Sequence, residues 1–301
     1  VTDTGFADFD PWVGLVVAVL AVSTSAILVR ASNAPASVAA FYRVAMTTLL
    51  VVPLALWRDP DAFSKLAHRD LLAAAATGVA LAVHFAAWFE SLAWTSVAAS
   101  VTLVQSQPLF VAVGAWALLD ERITRGTTVG ILLAVGGIVV MSLSELLGGG
   151  VGPRPLYGNA LALLGGVMAA AYVVAGRSLR QRFPLFPYVT VVYAVAAVCL
   201  FAFVFAGGHP LVDYQPREWV LFFLMAVGPG VFGHTVLNWA LGHLESSLVS
   251  VSLLGEPVGS ALLAFLLLSE VPGTWTLAGG VVVLTGIGVT ARSRARVSSS
   301  T

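Results

Sequence analysis

Two polar–proline pairs interrupt long apolar runs, Gln107-Pro108 and Glu256-Pro257, 149 residues apart. Glu256 is the only acid near the middle of such a run. A charge at that depth in a bilayer costs about 2.5 kcal/mol or more, so the carboxyl must face a cavity, meet a donor or hold a proton. Three roles fit: partner to a solute ammonium, carrier of a proton, or neutral cap on backbone freed by the proline. Gln107, its counterpart, carries no charge, which makes any central site electrically asymmetric. Each proline removes a backbone donor and crowds the preceding turn. The carbonyls near Val104 and Leu253 thereby lose their usual partners, and such groups persist in a membrane where they line a cavity or find another donor. In a continuous helix, Ser252, Glu256 and Gly259 would share one face by their i, i+4, i+7 spacing.

Other polar side chains stand at helical spacing in neighbouring runs. His84 and Trp88 lie one turn apart, as do His234 and Asn238, the latter pair just after Gly228-Pro229-Gly230, where a break near mid-membrane is expected. An imidazole there can donate, accept or titrate, or make an interhelical contact only. Met168 and Tyr172 form a weaker pair, equally compatible with packing, and Ser23, Thr24 and Ser25 can face a pore or bond back to their own helix. Arg43 would bind a carboxylate or gate the outer side; otherwise it pairs with Glu90 or extends toward the surface. HExxH, GxSxG and Walker A patterns are absent, as is any pair of intramembrane Asp residues, which argues against an enzyme. The single cysteine, Cys199, forms neither an internal disulfide nor a cysteine metal site. No cofactor and no metal are expected.

Long apolar elements must position these residues. Of 301 residues, 58% are hydrophobic and 10% charged, with mean hydropathy +0.94, far from the roughly 25% charged residues of soluble domains. The zero net charge excludes the basic signature of a nucleic-acid partner. Ten runs are long enough for transmembrane helices: 12–32, 36–57, 70–93, 96–118, 126–146, 157–177, 186–206, 217–242, 245–268 and 273–291. Residues 1–11 hold acids and no basic residue, so the first run is expected to remain as a span. With the N-terminus inside, cytoplasmic segments hold eleven basic residues (Arg58, Lys65, Arg69, Arg122, Arg125, Arg177, Arg180, Arg182, Arg292, Arg294 and Arg296) and outer segments three (Arg30, Arg154 and Arg217). The positive-inside bias therefore puts both termini in the cytoplasm. Trp12, Trp57, Trp116 and Trp239 then fall toward the inner face, and Trp94, Trp219 and Trp275 toward the outer face, with Trp88 deeper.

The pattern Gln107-Pro108, Leu118-Leu119, Glu121, Gly130, Gly137-Ile138 recurs without a gap as Glu256-Pro257, Leu267-Leu268, Glu270, Gly279, Gly286-Ile287. The expected organisation is a five-helix repeat over 12–146, a second over 157–291 and a cytoplasmic tail over 292–301. The junction, 144–156, contains Gly148-Gly149-Gly150 and Gly152-Pro153. Five is odd, so the repeats would be inverted in the membrane, a signature of alternating-access transporters. Glycine-rich stretches at Gly130, Gly136-Gly137, Gly279-Gly280 and Gly286 are expected to pack helices closely, within the fold or between protomers.

With Phe41-Tyr42-Arg43, the central Pro108 and Pro257, an acid after each fourth helix and glycine-rich fifth helices, the chain resembles the drug/metabolite transporter superfamily in its ten-helix, two-EamA-domain form. It is most similar there to YddG-type amino-acid exporters of bacterial inner membranes. The resemblance implies an all-α integral membrane protein, an inner-membrane location and alternating access through a central cavity. Two departures stand out: Val192 replaces the repeat counterpart of Arg43, and the first span lacks the acid that couples protons in the small four-helix multidrug members. The expected lining is His84, Trp88, Gln107, Tyr172, His234, Asn238, Ser252 and Glu256, with Pro108, Pro229, Pro257 and Arg43 as kink or gate positions. One acid, one Arg, imidazoles, amides and rings suit a small zwitterionic or amphipathic solute; drugs or other metabolites are the alternative.

Overall fold

The computed structural model describes residues 10–63, 67–95, 97–119, 123–147, 153–268 and 274–298. Lys65, Asp120, Glu121, Arg122, Glu270, Gly148-Gly149-Gly150 and Gly152 lie outside the described residues. Every regular element among the described residues is helical. The helices are α1 (Pro11–Ala31), α2 (Ala36–Arg58), α3 (His68–Trp94), α4 (Val97–Val104), α5 (Gln107–Leu119), α6 (Arg125–Leu147) and α7 (Pro155–Arg180). They continue with α8 (Leu185–Ala206), α9 (Pro216–Met225), α10 (Val236–His243), α11 (Ser246–Ser252), α12 (Glu256–Leu268) and α13 (Thr274–Ser298). Six stretches are long and apolar enough to cross a membrane among the described residues, Pro216–His243 counting as one.

Local chemistry sets the ends. Asp10 caps α1 by accepting from the Trp12 amide, with Pro11 in the first turn where its missing N–H is no loss. Pro155 and Pro216 likewise stand in the first turns of α7 and α9, without a side-chain cap. α8 closes with Gly208 at φ +65°. There the His209 amide reaches the Val204 carbonyl and the Gly208 amide that of Phe205, the paired bonds of a Schellman end. α13 runs on to Ser298, so much of the expected tail is helical.

The two matched prolines interrupt helices at equivalent places. α4 stops at Val104, Gln105-Ser106 form a turn, and α5 restarts with Gln107-Pro108. α11 stops at Ser252, a 3₁₀ turn spans Leu253–Gly255, and α12 restarts with Glu256-Pro257. At the helix start the missing proline N–H is one of the donors left unpaired anyway. The expected break at Pro229 takes another form. Residues Ala226–Thr235 stay helical but widen to a π-helix. The wider turn leaves room for the ring. Two hydroxyls lie near its carbonyls: Thr47 Oγ1, which donates to the Arg43 carbonyl of its own helix at 2.7 Å, is 3.2 Å from Ala226 O, and Thr235 Oγ1 is 3.4 Å from Gly230 O.

Helix pairing follows a two-fold pattern. α6 packs against α13 and α2 against α8; α3 packs against α7 as the π-helix packs against α1. α4 and α5 also pack against α7, as α12 does against α1. Exchanging 11–147 with 155–298 carries α6–α13 and α2–α8 onto themselves, α3–α7 onto the π-helix with α1, and α5–α7 onto α12–α1. The α6–α13 contact is intimate: a Cβ at Gly137 would come 2.6 Å from the Gly279 carbonyl, and one at Gly130 2.7 Å from that of Gly286. These glycines therefore pack within the fold. Large apolar side chains such as Leu49, Leu72, Phe205 and Leu266 are exposed around the outside, as a lipid-facing surface requires. Trp239 departs from the interfacial belt expected for it: it is buried, against Gly14 of α1.

Candidate functional site

The breaks in α4–α5 and α11–α12 meet the π-helix, α1, α2, α3 and α7 around one central cavity. Its volume is about 40 Å³, enough for a few waters.

Glu256 lines it and is buried, because the 3₁₀ turn places it at the first position of α12. Its Oε2 accepts from Gln105 Nε2 at 2.7 Å. Gln105, in the turn between α4 and α5, is a lining residue that the sequence reading did not single out; its signal was a second amide two residues before Gln107. Its Oε1 is buried without a hydrogen-bond partner. Gln107 also lines the cavity.

Arg43 enters from α2 and is 1% exposed. Nη1 donates to Ser25 Oγ at 2.7 Å and Nη2 to the Pro229 carbonyl at 3.4 Å, while the guanidinium sits 4.3 Å from the Phe85 ring centroid. The alternative partner Glu90 instead accepts from Trp94 Nε1 at 2.7 Å. Arg43 neither pairs there nor reaches the surface, because α1 and the π-helix bury it and supply its acceptors. Arg43 and Glu256 line the same cavity but are held by different partners rather than by each other.

Aromatic rings line the same cavity. His84 bonds through Nδ1 to the Gly165 carbonyl at 2.9 Å and stacks on Trp88, with centroids 5.9 Å apart and planes at 22°. That contact makes Nδ1 the protonated nitrogen of the neutral ring and leaves Nε2 as an acceptor. His234, from the π-helix, packs edge-on to Phe85 and beside Tyr172. Trp88 Nε1 and His234 Nδ1 are buried without hydrogen-bond partners. Met168 does not appear in the lining; Tyr172 does.

Two expected lining residues sit elsewhere. Ser252 bonds back to the Leu248 carbonyl at 3.0 Å. The 3₁₀ turn after it breaks the α-helical register that would have put it on the face of Glu256. Asn238 is fully buried behind the cavity, where the two N–H groups of its amide donate to the Tyr172 hydroxyl and to the His234 carbonyl at 2.7 Å, with the Tyr193 hydroxyl 3.3 Å away. It holds Tyr172 rather than forming the wall. Asn238→Leu keeps the volume and deletes these bonds. It is expected to lower thermal stability by about 1 kcal/mol, read as a falling Tm of the purified protein in detergent.

Pro108 and Pro257 lie one residue beyond the lining positions Gln107 and Glu256, and Pro229 contributes the carbonyl that Arg43 holds. Ser23 and Thr24 bond back to Val19 and Ala21 of their own helix, whereas Ser25 faces Arg43. No group of three His, Cys, Asp or Glu side chains forms a metal site among the described residues.

A model of the EamA-like transporter family matches residues 11–143 and again 156–292. The pseudopaline exporter CntI of Pseudomonas aeruginosa is 30% identical over 90% of this chain and 93% of its own. An uncharacterized transporter of Archaeoglobus fulgidus is 24% identical over 83% of this chain and 86% of its own. A solved crystal structure 20% identical in sequence covers 95% of this chain and 97% of its own with a TM-score of 0.79, a likeness of fold.

Proposed function

As the chain belongs to the EamA-like transporter family of multi-pass membrane proteins, a transporter and not an enzyme, we propose that it exports small zwitterionic solutes, neutral and aromatic amino acids foremost, across the bacterial inner membrane. One observation carries the substrate class. The central cavity is lined by one carboxyl, Glu256, and one guanidinium, Arg43, with the rings of Trp88, Tyr172 and His84 among the other lining residues. An α-amino acid offers the matching ammonium and carboxylate on one carbon, and the rings suit an apolar side chain through contact and cation–π attraction. Several phosphates would ask for more cations, and a polyamine for more acids, than this lining has.

The reading includes ten spans in two inverted five-helix repeats, with both termini cytoplasmic. The two-fold exchange of helix pairs and the basic residues of the cytoplasmic segments support it. Alternating access would rock one half against the other about the central breaks. A second reading, export of another small metabolite, is favoured by the name of one relative, a pseudopaline exporter.

Uptake of labelled Phe, Thr and Met into proteoliposomes, with and without an imposed pH gradient, tests the proposal. Saturable uptake of at least one is expected, with unlabelled amino acids competing better than a panel of drugs. No saturable uptake of any amino acid sinks it.

A further inference from the structure

Glu256 already has a hydrogen-bond partner inside the protein. A buried carboxylate without a donor carries a heavy desolvation cost, and an alternating-access carrier that has released its solute must still close around that group. Here the donor comes from inside the protein: Gln105 Nε2 at 2.7 Å from Glu256 Oε2, with Gln105 4% and Glu256 8% exposed. The amide is poorly anchored otherwise, since its Oε1 has no hydrogen-bond partner. It also stands in the turn between α4 and α5, which is tied by Gln105 N to Val101 O, Ser106 N to Leu103 O and Leu109 N to Ser106 O. Rotating the side chain about its own bonds leaves these backbone ties in place. Its position 149 residues on is occupied by Leu254, so the amide belongs to one repeat only and pairs with the acid of the other.

We infer that Gln105 is the empty carrier's internal substitute for the substrate ammonium: it holds Glu256 while the unloaded cavity changes sides, and swings away when a solute ammonium takes its place. This rests on the reading of Glu256 as the ammonium partner. The hydrogen bond also joins the break of α4–α5 to the break of α11–α12. Its exchange for a solute contact therefore changes the link between the two bending points at the moment of binding. Gln105 is a positioning residue, acting through Glu256.

Exchange and net flux separate this role from a structural one. Solute-for-solute exchange never needs the empty carrier to cross, whereas net efflux does. In proteoliposomes, Gln105→Met keeps length and apolar packing and removes the N–H donor. Net efflux of labelled Phe is expected to fall about tenfold, equivalent to about 1.4 kcal/mol, while exchange stays within about twofold of the parent protein. Equal falls in both, or no fall in either, overturn the inference. Should Gln105→Met fail to yield folded protein, Gln105→Asn keeps the amide but withdraws it by one methylene. The same divergence of net efflux from exchange is expected for it, and parallel behaviour overturns the inference. The parent protein separates the two failures. Absence of saturable uptake there defeats the proposed substrate class, whereas normal uptake with an unchanged ratio in the variants defeats only the role of Gln105.

Discussion

Glu256→Gln is expected to cut the transport efficiency for neutral amino acids by at least about thirtyfold while leaving the protein folded. The substitution is nearly isosteric. Gln105 Nε2 can still donate to the new side-chain oxygen, so the link between the two breaks survives. What disappears is the charge facing a solute ammonium in a cavity of low polarity. Removing one member of a buried charge-assisted pair costs about 2–5 kcal/mol, and each 1.4 kcal/mol is about tenfold. Initial uptake rates over a range of Phe concentrations measure the effect, with thermal unfolding as the control for folding. Transport at the parent level would show that the carboxyl merely caps the start of α12, the structural alternative for this residue.

The largest loss of stability is expected at a residue far from the cavity. Gly130→Leu places a Cβ 2.7 Å from the Gly286 carbonyl and 3.0 Å from the Thr290 amide nitrogen. Both neighbours are backbone, which cannot rotate aside. α6 and α13 would have to separate, and with them the contact of Gly137 against Gly279. Overpacking of this kind costs about 1–3 kcal/mol or more, and in a bilayer close packing is a main source of helix association. A lower Tm and a reduced monodisperse yield after detergent extraction are the expected readouts. Gly136→Leu, on the same helix, is the control: nothing lies within 4 Å of its Cβ, and its yield and Tm are expected to match the parent protein. Equal behaviour of the two variants would mean that the α6–α13 contact does not depend on glycine.

Much of this was readable along the chain because it is a matter of local chemistry. A proline inside an apolar run must disturb a helix wherever it falls, and both matched breaks occur where Gln107-Pro108 and Glu256-Pro257 predicted them. Pro229 shows the margin of such reasoning. The proline demanded an accommodation, and the helix widened to a π-helix where a break was expected. Likewise, spacing alone put Ser252 beside Glu256, and the 3₁₀ turn removed it. Asn238 and Trp239 look equally polar-tipped in the sequence, yet the first holds Tyr172 from behind and the second packs on Gly14.

What the sequence determined by itself is what depends on residues near one another in the chain: where apolar segments begin and end, where prolines interrupt them, and that an acid lies deep in one of them. Which side chains face that acid was decided only by tertiary structure. In a soluble helix the polar face betrays the outside and the apolar face the core. Here the surroundings are as apolar as the interior, so an apolar run carries little mark of which face turns inward. Glu256 therefore announces that a polar partner must exist, and only the packing of α4–α5 against α11 and α7 reveals that the partner is Gln105.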